Sequence, residues 1–142
     1  MTLARRMILS AMVFSAVGCG ISLVNVVVVP DVAPITDLGN RCLIVYESAD
    51  VAKMPAKQQV IITGSRLRKY LDVACVKDGW RIIDAETQFT GGDDVIWVEA
   101  MRLPRDSGPW LICSTGKKGY SGPLPDDIDS VIDLLATYFE AK

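Results

Sequence analysis

The chain has 142 residues, half of them apolar and 23% charged, with 15 lysines and arginines against 17 aspartates and glutamates for a net charge of −2. That length holds one globular domain plus an accessory segment, and the charge balance excludes a disordered chain and a strongly basic nucleic-acid binder. Histidine is absent, which removes Ser-His-Asp and Cys-His catalysis and imidazole-ligated zinc, and the four cysteines (Cys19, Cys42, Cys75 and Cys113) form no Cys-x-x-Cys pair.

Arg5 and Arg6 precede MILSAMVFSAVGCGISLVNVVVV (7–29), in which Asn25 is the only strongly polar side chain and no residue is charged. As a helix rising about 1.5 Å per residue, this stretch would reach roughly 34 Å, enough for a hydrocarbon core of about 30 Å. Residues 1–29 are therefore expected to form a single-pass signal-anchor in the cytoplasmic membrane. The two arginines place the N-terminus inside and the C-terminal domain outside, periplasmic or extracellular. Two other readings stay open. Ala16, Val17 and Gly18 supply the small residues that precede a lipidated cysteine, here Cys19, and 7–17 also fits the apolar region of a cleaved secretory signal. Pro30 and Pro34 break any helix, so 30–40 reads as a short stiff linker to a domain at 41–142. Without the two N-terminal arginines the 15 basic residues become 13 against 17 acidic, about −4, which gives no attraction to anionic phospholipid.

In the outer domain, 41–48 is a continuous apolar run of β-formers, the pattern of a strand covered on both faces. Pro55 suits a first helical turn, 56–63 predicts a short helix stopped by Gly64, and Ser65 offers the next N-cap. Leu67, Tyr70, Leu71 and Ala74 then recur at helical spacing. A second strand is predicted at 80–84, with room to extend to Thr87. Residues 90–94 open a helix whose buried face carries Val95, Val98 and Met101, leaving Trp97 on the solvent side as a candidate partner contact. A third strand at 110–114, a turn at 116–119 and a short edge strand at 120–124 follow. The last helix carries Ile128, Val131, Ile132, Leu135, Tyr138 and Phe139 as one stripe, with Asp126, Asp127 and Asp129 at its positive end. The order is β-α-β-α-β-β-α, an α/β chain with a helix-connected parallel first half and a hairpin second half.

This order, with a proline directly before the third strand, resembles the thioredoxin fold, a three-layer sandwich. The stretch PWLICSTGKKGYSGPLPDDIDSVIDLLATYF (109–139) looks like the family's segment from its cis-proline through the hairpin to the last helix. The chain is also similar to small membrane-anchored thioredoxin-like proteins of phage and bacterial genomes. Aligning CLIVYES (42–48) with the family's first strand puts Val51 and Met54 on the two redox-cysteine positions and Val45 on the buried acid. The resemblance thus implies a scaffold without redox chemistry, a cis Gly108–Pro109 bond, and a pocket beside it formed by Glu47, Ser48, Asp50, Val51, Met54, Gly108, Pro109 and Trp110. In that register Cys113 faces Leu43, so the Cys42 and Cys113 thiols are expected on opposite sheet faces as buried apolar groups.

Cys75, at a helix end beside Val76 and Lys77, is the candidate accessible, reactive thiol. The acidic cluster at 126–129 lacks the loop spacing and terminal glutamate of a calcium hand and reads as helix capping, and no metal or cofactor is expected. Arg66, Arg68, Lys69 and Lys77 read as a solvated basic face, without interleaved aromatics to suggest nucleic acid. The expectation is a membrane-tethered, non-redox, thioredoxin-like domain that binds a protein or peptide outside the cytoplasm. Its alternatives are a divergent single-cysteine thiol enzyme and a structural component of a phage or cell envelope.

Overall fold

The computed structural model describes residues 32–89 and 95–139. The expected anchor, the lipidation site Cys19, the predicted helix start at 90–94 and the first residues of the linker lie outside these. No helix among the described residues is long and apolar enough to cross a membrane.

The chain is α/β, with one four-stranded mixed open sheet and helices on its faces. The elements are β1 (Arg41–Tyr46), a 3-10 helix (Ser48–Lys53), α1 (Ala56–Thr63), α2 (Ser65–Ala74), β2 (Trp80–Asp84), α3 (Val95–Met101), β3 (Trp110–Ser114), β4 (Gly119–Pro123) and α4 (Ile128–Tyr138). Strand order is β2-β1-β3-β4. β1 runs parallel to β2 and antiparallel to β3, and β3 and β4 form the hairpin. The two central strands are the two apolar runs. Cys42 to Val45 are at most 2% exposed and every residue of β3 is buried, because helices or loops cover both sheet faces.

Alternation along the strands sorts the core into two halves. Cys42, Ile44, Leu111 and Cys113 point toward α1, α2 and α4, where they meet Ile61, Leu67, Leu71, Val131 and Leu135. Leu43, Val45, Trp110 and Ile112 point the other way, onto Ile35, Trp97 and Ala100. Each such fully buried aliphatic side chain stabilises the fold by about 1.5–3 kcal/mol relative to exposure. Two buried polar side chains are matched, Gln58 Nε2 donating to the Leu124 carbonyl at 3.0 Å and Ser114 Oγ to the Ile35 carbonyl at 2.6 Å, whereas the buried Arg41 Nε has no hydrogen-bond partner among the described residues. The Ser114 bond ties the 32–40 segment to the sheet. At the β3–β4 turn Gly116 adopts φ +83°, and a Cβ there would lie 2.7 Å from the Asp37 carbonyl oxygen, so both conformation and space call for glycine.

Five local expectations are corrected. β1 ends at Tyr46, two residues short of the expected run, while β2 ends at Asp84 as expected and does not extend to Thr87, because the Asp84 carboxylate accepts the N–H groups of Ser48 and Glu86, each at 2.8 Å, and turns both chains out of the sheet. Gly64, not Ser65, is the N-cap of α2, and no side chain caps it. α3 buries Trp97 (2% exposed) and Ala100 while Val95 is 52% exposed, so its face is rotated from the predicted one to seat the indole under β1. Cys42 pairs directly with Cys113, one residue from the expected register, so both thiols occupy the same face. The Gly108–Pro109 bond is trans, as are all peptide bonds among the described residues; Gly108 redirects the chain with φ +101°.

Candidate functional site

β1 and β2 run in the same direction, and their chains leave the sheet toward opposite faces. After β1 the chain passes to α1 and α2 over one core half, and after β2 to α3 over the other. The carboxyl ends of adjacent parallel strands whose connections part in this way leave a crevice between them, the usual place for a ligand on an open α/β sheet. A cleft of about 440 Å³ lies there. Val45, Tyr46 and Glu47 supply its β1 wall, Asp50 comes from the 3-10 helix, and Ala85 follows β2. Leu103, Arg105, Asp106, Ser107 and Gly108 come from the loop before β3.

Of the residues expected from sequence, the cleft brings together Glu47, Asp50 and Gly108. Ser48 is exposed beside it, its N–H donated to Asp84. Val51 and Met54 turn inward: Met54 is 9% exposed and Val51 packs against the same core half. Pro109 is half-buried, its carbonyl accepting the Leu124 N–H at 2.9 Å, and Trp110 is 8% exposed on the opposite core half, its indole N–H donated to Ser121 Oγ at 3.0 Å. The residues missed are Val45, Tyr46 and Ala85 at the strand ends and Leu103, Arg105, Asp106 and Ser107 in the loop before β3, the loop residues and Arg105 above all. Their sequence signal was weak: Pro104 and Asp106 mark a loop, and nothing local says that this loop meets the end of β1.

Charges of both signs face the cleft. Arg105 is held in place, its Nη1 donating to the Met101 carbonyl at 2.7 Å and touching the Met101 sulfur at 3.5 Å. Lys53 Nζ pairs with Asp50 at 2.8 Å, and that hydrogen bond raises the lysine pKa. Behind the 3-10 helix the Asp84 carboxyl is held below its ordinary range, first by the Ser48 hydroxyl and then by the Glu86 and Ser48 backbone N–H groups. No lining residue is a cysteine, so the cleft offers carboxylates and a guanidinium but no thiol.

Cys75 is 2% exposed, which corrects its expected accessibility: Leu71 accepts the Cys75 N–H at 2.9 Å at the close of α2, and the side chain turns into the core. Cys42 and Cys113 are likewise buried thiols. Burial is the first cause that drives the Cys42 pKa well above its ordinary value and that of Cys113 up to about 12, despite a backbone hydrogen bond from Tyr120 that lowers the latter. On the basic face Arg66 pairs with Asp129, and Arg68 Nη1 donates to the Gly64 carbonyl at 2.7 Å, so both cations have internal partners. Asp127 caps α4, accepting the Ser130 N–H at 3.0 Å.

Compared with known proteins, the chain matches no family model, no curated protein and no solved structure.

Proposed function

We propose that this chain is a thioredoxin-like domain without thiol redox chemistry, held at the outer side of the cytoplasmic membrane by residues 7–29, and that it binds an extended protein or peptide segment in the cleft at the end of β1. The observation that carries the reading is the cleft itself. It is open, lies at the parting of the β1 and β2 connections, and carries fixed charges with no nucleophilic thiol. The strand order, with β2 parallel to β1 and a closing hairpin, supports the family resemblance. The inward turn of Val51 and Met54 supports the absence of redox work. With Asp50 paired to Lys53, Glu47 and Asp106 still outnumber Arg105, which favours a segment bearing a lysine or arginine.

The test is a peptide array probed with the full chain in detergent, followed by titration of the best binder. The reading expects basic peptides to bind, at least about tenfold weaker binding for the Glu47→Ala/Asp106→Ala pair, and no reduction of insulin disulfides. Binding that is indifferent to both substitutions, or insulin reduction at enzyme rates, overturns it. Intact mass of membrane-extracted protein tests the tether: about the full 15.5 kDa supports the anchor, and a lipid-bearing chain starting at Cys19 replaces it with a lipoprotein.

A further inference from the structure

Cys42 and Cys113 sit on the two central strands, directly opposite each other in the antiparallel β1–β3 ladder. The Cys42 N–H donates to the Gly79 carbonyl at 2.9 Å, just before β2. In a strand the N–H and C=O of one residue point to the same side, so both polar groups of Cys42 face β2 and none faces β3. The Cys42–Cys113 pair is therefore a non-hydrogen-bonded pair, the closer of the two antiparallel kinds, with Cα atoms about 4.5 Å apart. Disulfides bridge Cα separations of roughly 4.4–6.8 Å. Both side chains are fully buried in the same core half. We propose that Cys42 and Cys113 are a covalent cross-link site, closing a disulfide between β1 and β3 when the chain folds in the presence of a small-molecule disulfide such as oxidised glutathione.

The step balances as two exchanges. The Cys42 thiolate attacks one glutathione sulfur, forming a mixed disulfide and expelling a glutathione thiolate. The Cys113 thiolate then attacks the Cys42 sulfur, forming the Cys42–Cys113 bond and expelling the second glutathione thiolate. The two protons released by the cysteines end on the two glutathione thiolates. The cysteine pair is oxidised by two electrons and glutathione disulfide is reduced by two. Once the core has closed, exclusion from solvent and the high thiol pKa of Cys113 suppress both attacks, so the bond forms during folding and is afterwards shielded from reductant. Cys75 lies in the same core half and is the competing partner. The proposal is independent of the cleft and of the family resemblance.

The experiment uses the full chain carrying Cys19→Ser, unfolded, reduced, and refolded in detergent with oxidised and reduced glutathione, then denatured and alkylated without reductant. The expected product is lighter by two hydrogen atoms before alkylation, carries a single alkyl group on Cys75, and yields one peptide pair joining Cys42 to Cys113. Protein refolded reduced and then given the same glutathione mixture should form the bond about tenfold more slowly or less. Three alkyl groups after oxidative refolding, or a linkage that includes Cys75, overturns the proposal. The peptide map decides this on the unsubstituted pair, so no variant in the core has to fold.

Discussion

The two faces of the sheet are built differently. Among the described residues, the face under α1, α2 and α4 buries thirteen hydrophobic residues, six of them on those helices, among these Ile61, Leu71 and Leu135. The opposite face buries seven among the described residues, and two of these are the indoles of Trp97 and Trp110. A face made of many interlocking aliphatic side chains spreads the consequence of any one loss, whereas a face closed by one short helix rests on its largest side chain. The cleft opens at the end of the sheet where the chain changes from the first face to the second. The cleft thus lies at the boundary between the thick side and the thin one, beside the loop that leads into β3.

The sharpest way to break this comparison is Trp97→Ala. It should cost about 4–5 kcal/mol in chemical denaturation, against about 3 kcal/mol for Leu71→Ala on the thick face; equal costs would mean that the two faces are equally robust. Next, Gly116→Ala should destabilise by about 1–3 kcal/mol, because it forces a Cβ onto φ +83° and against the Asp37 and Leu38 backbone that reaches the thin face through Ile35. A smaller effect is expected for Arg81→Met. Its guanidinium sits 5.3 Å from the Trp97 ring centre, and its loss should cost about 0.5–1 kcal/mol, and less in a Trp97→Ala background, where only its bonds to the Asp78 and Trp80 carbonyls remain to be lost.

The smallest effect is pH-dependent and concerns the cleft boundary. The folded pKa of Asp84 lies below its unfolded value, so its contribution to stability is present above about pH 4 and is lost as pH falls through the folded value. Asp84→Asn should therefore lower the unfolding midpoint at neutral pH, with the difference from the parent chain vanishing in acid. A constant difference across the acid range would show that Ser48 and Glu86 are not held through this carboxylate.

Much of the architecture was legible because it is local. The apolar runs at 41–46 and 110–114, the stop at Gly64, the turn at 116–119 and the spacing of Val131 and Leu135 each declare their element within a few residues. The candidate site was legible only in part, three of its ten lining residues being expected. Glu47, Asp50 and Gly108 were placed together by the resemblance to the thioredoxin fold, whereas Arg105 and Ser107 reach the cleft through a loop whose path no periodicity encodes. The 3-10 helix at Ser48–Lys53 went unread for a related reason, since its backbone is fixed by contacts to Asp84 as well as by its own turn bonds.

The amino-acid sequence by itself determined the order of the strands and α-helices, the burial of both central strands and the absence of any imidazole, all of which follow from composition and near-neighbour pattern. Only the tertiary structure decided the register of β1 on β3, the face on which Trp97 lies and the trans Gly108–Pro109 bond. The reason is the two-residue period of a strand: a slip of one residue moves every side chain to the other face, and which register holds is settled by the long-range fit of helices that meet only after the chain has closed. That single step of register is what brings Cys42 and Cys113 face to face.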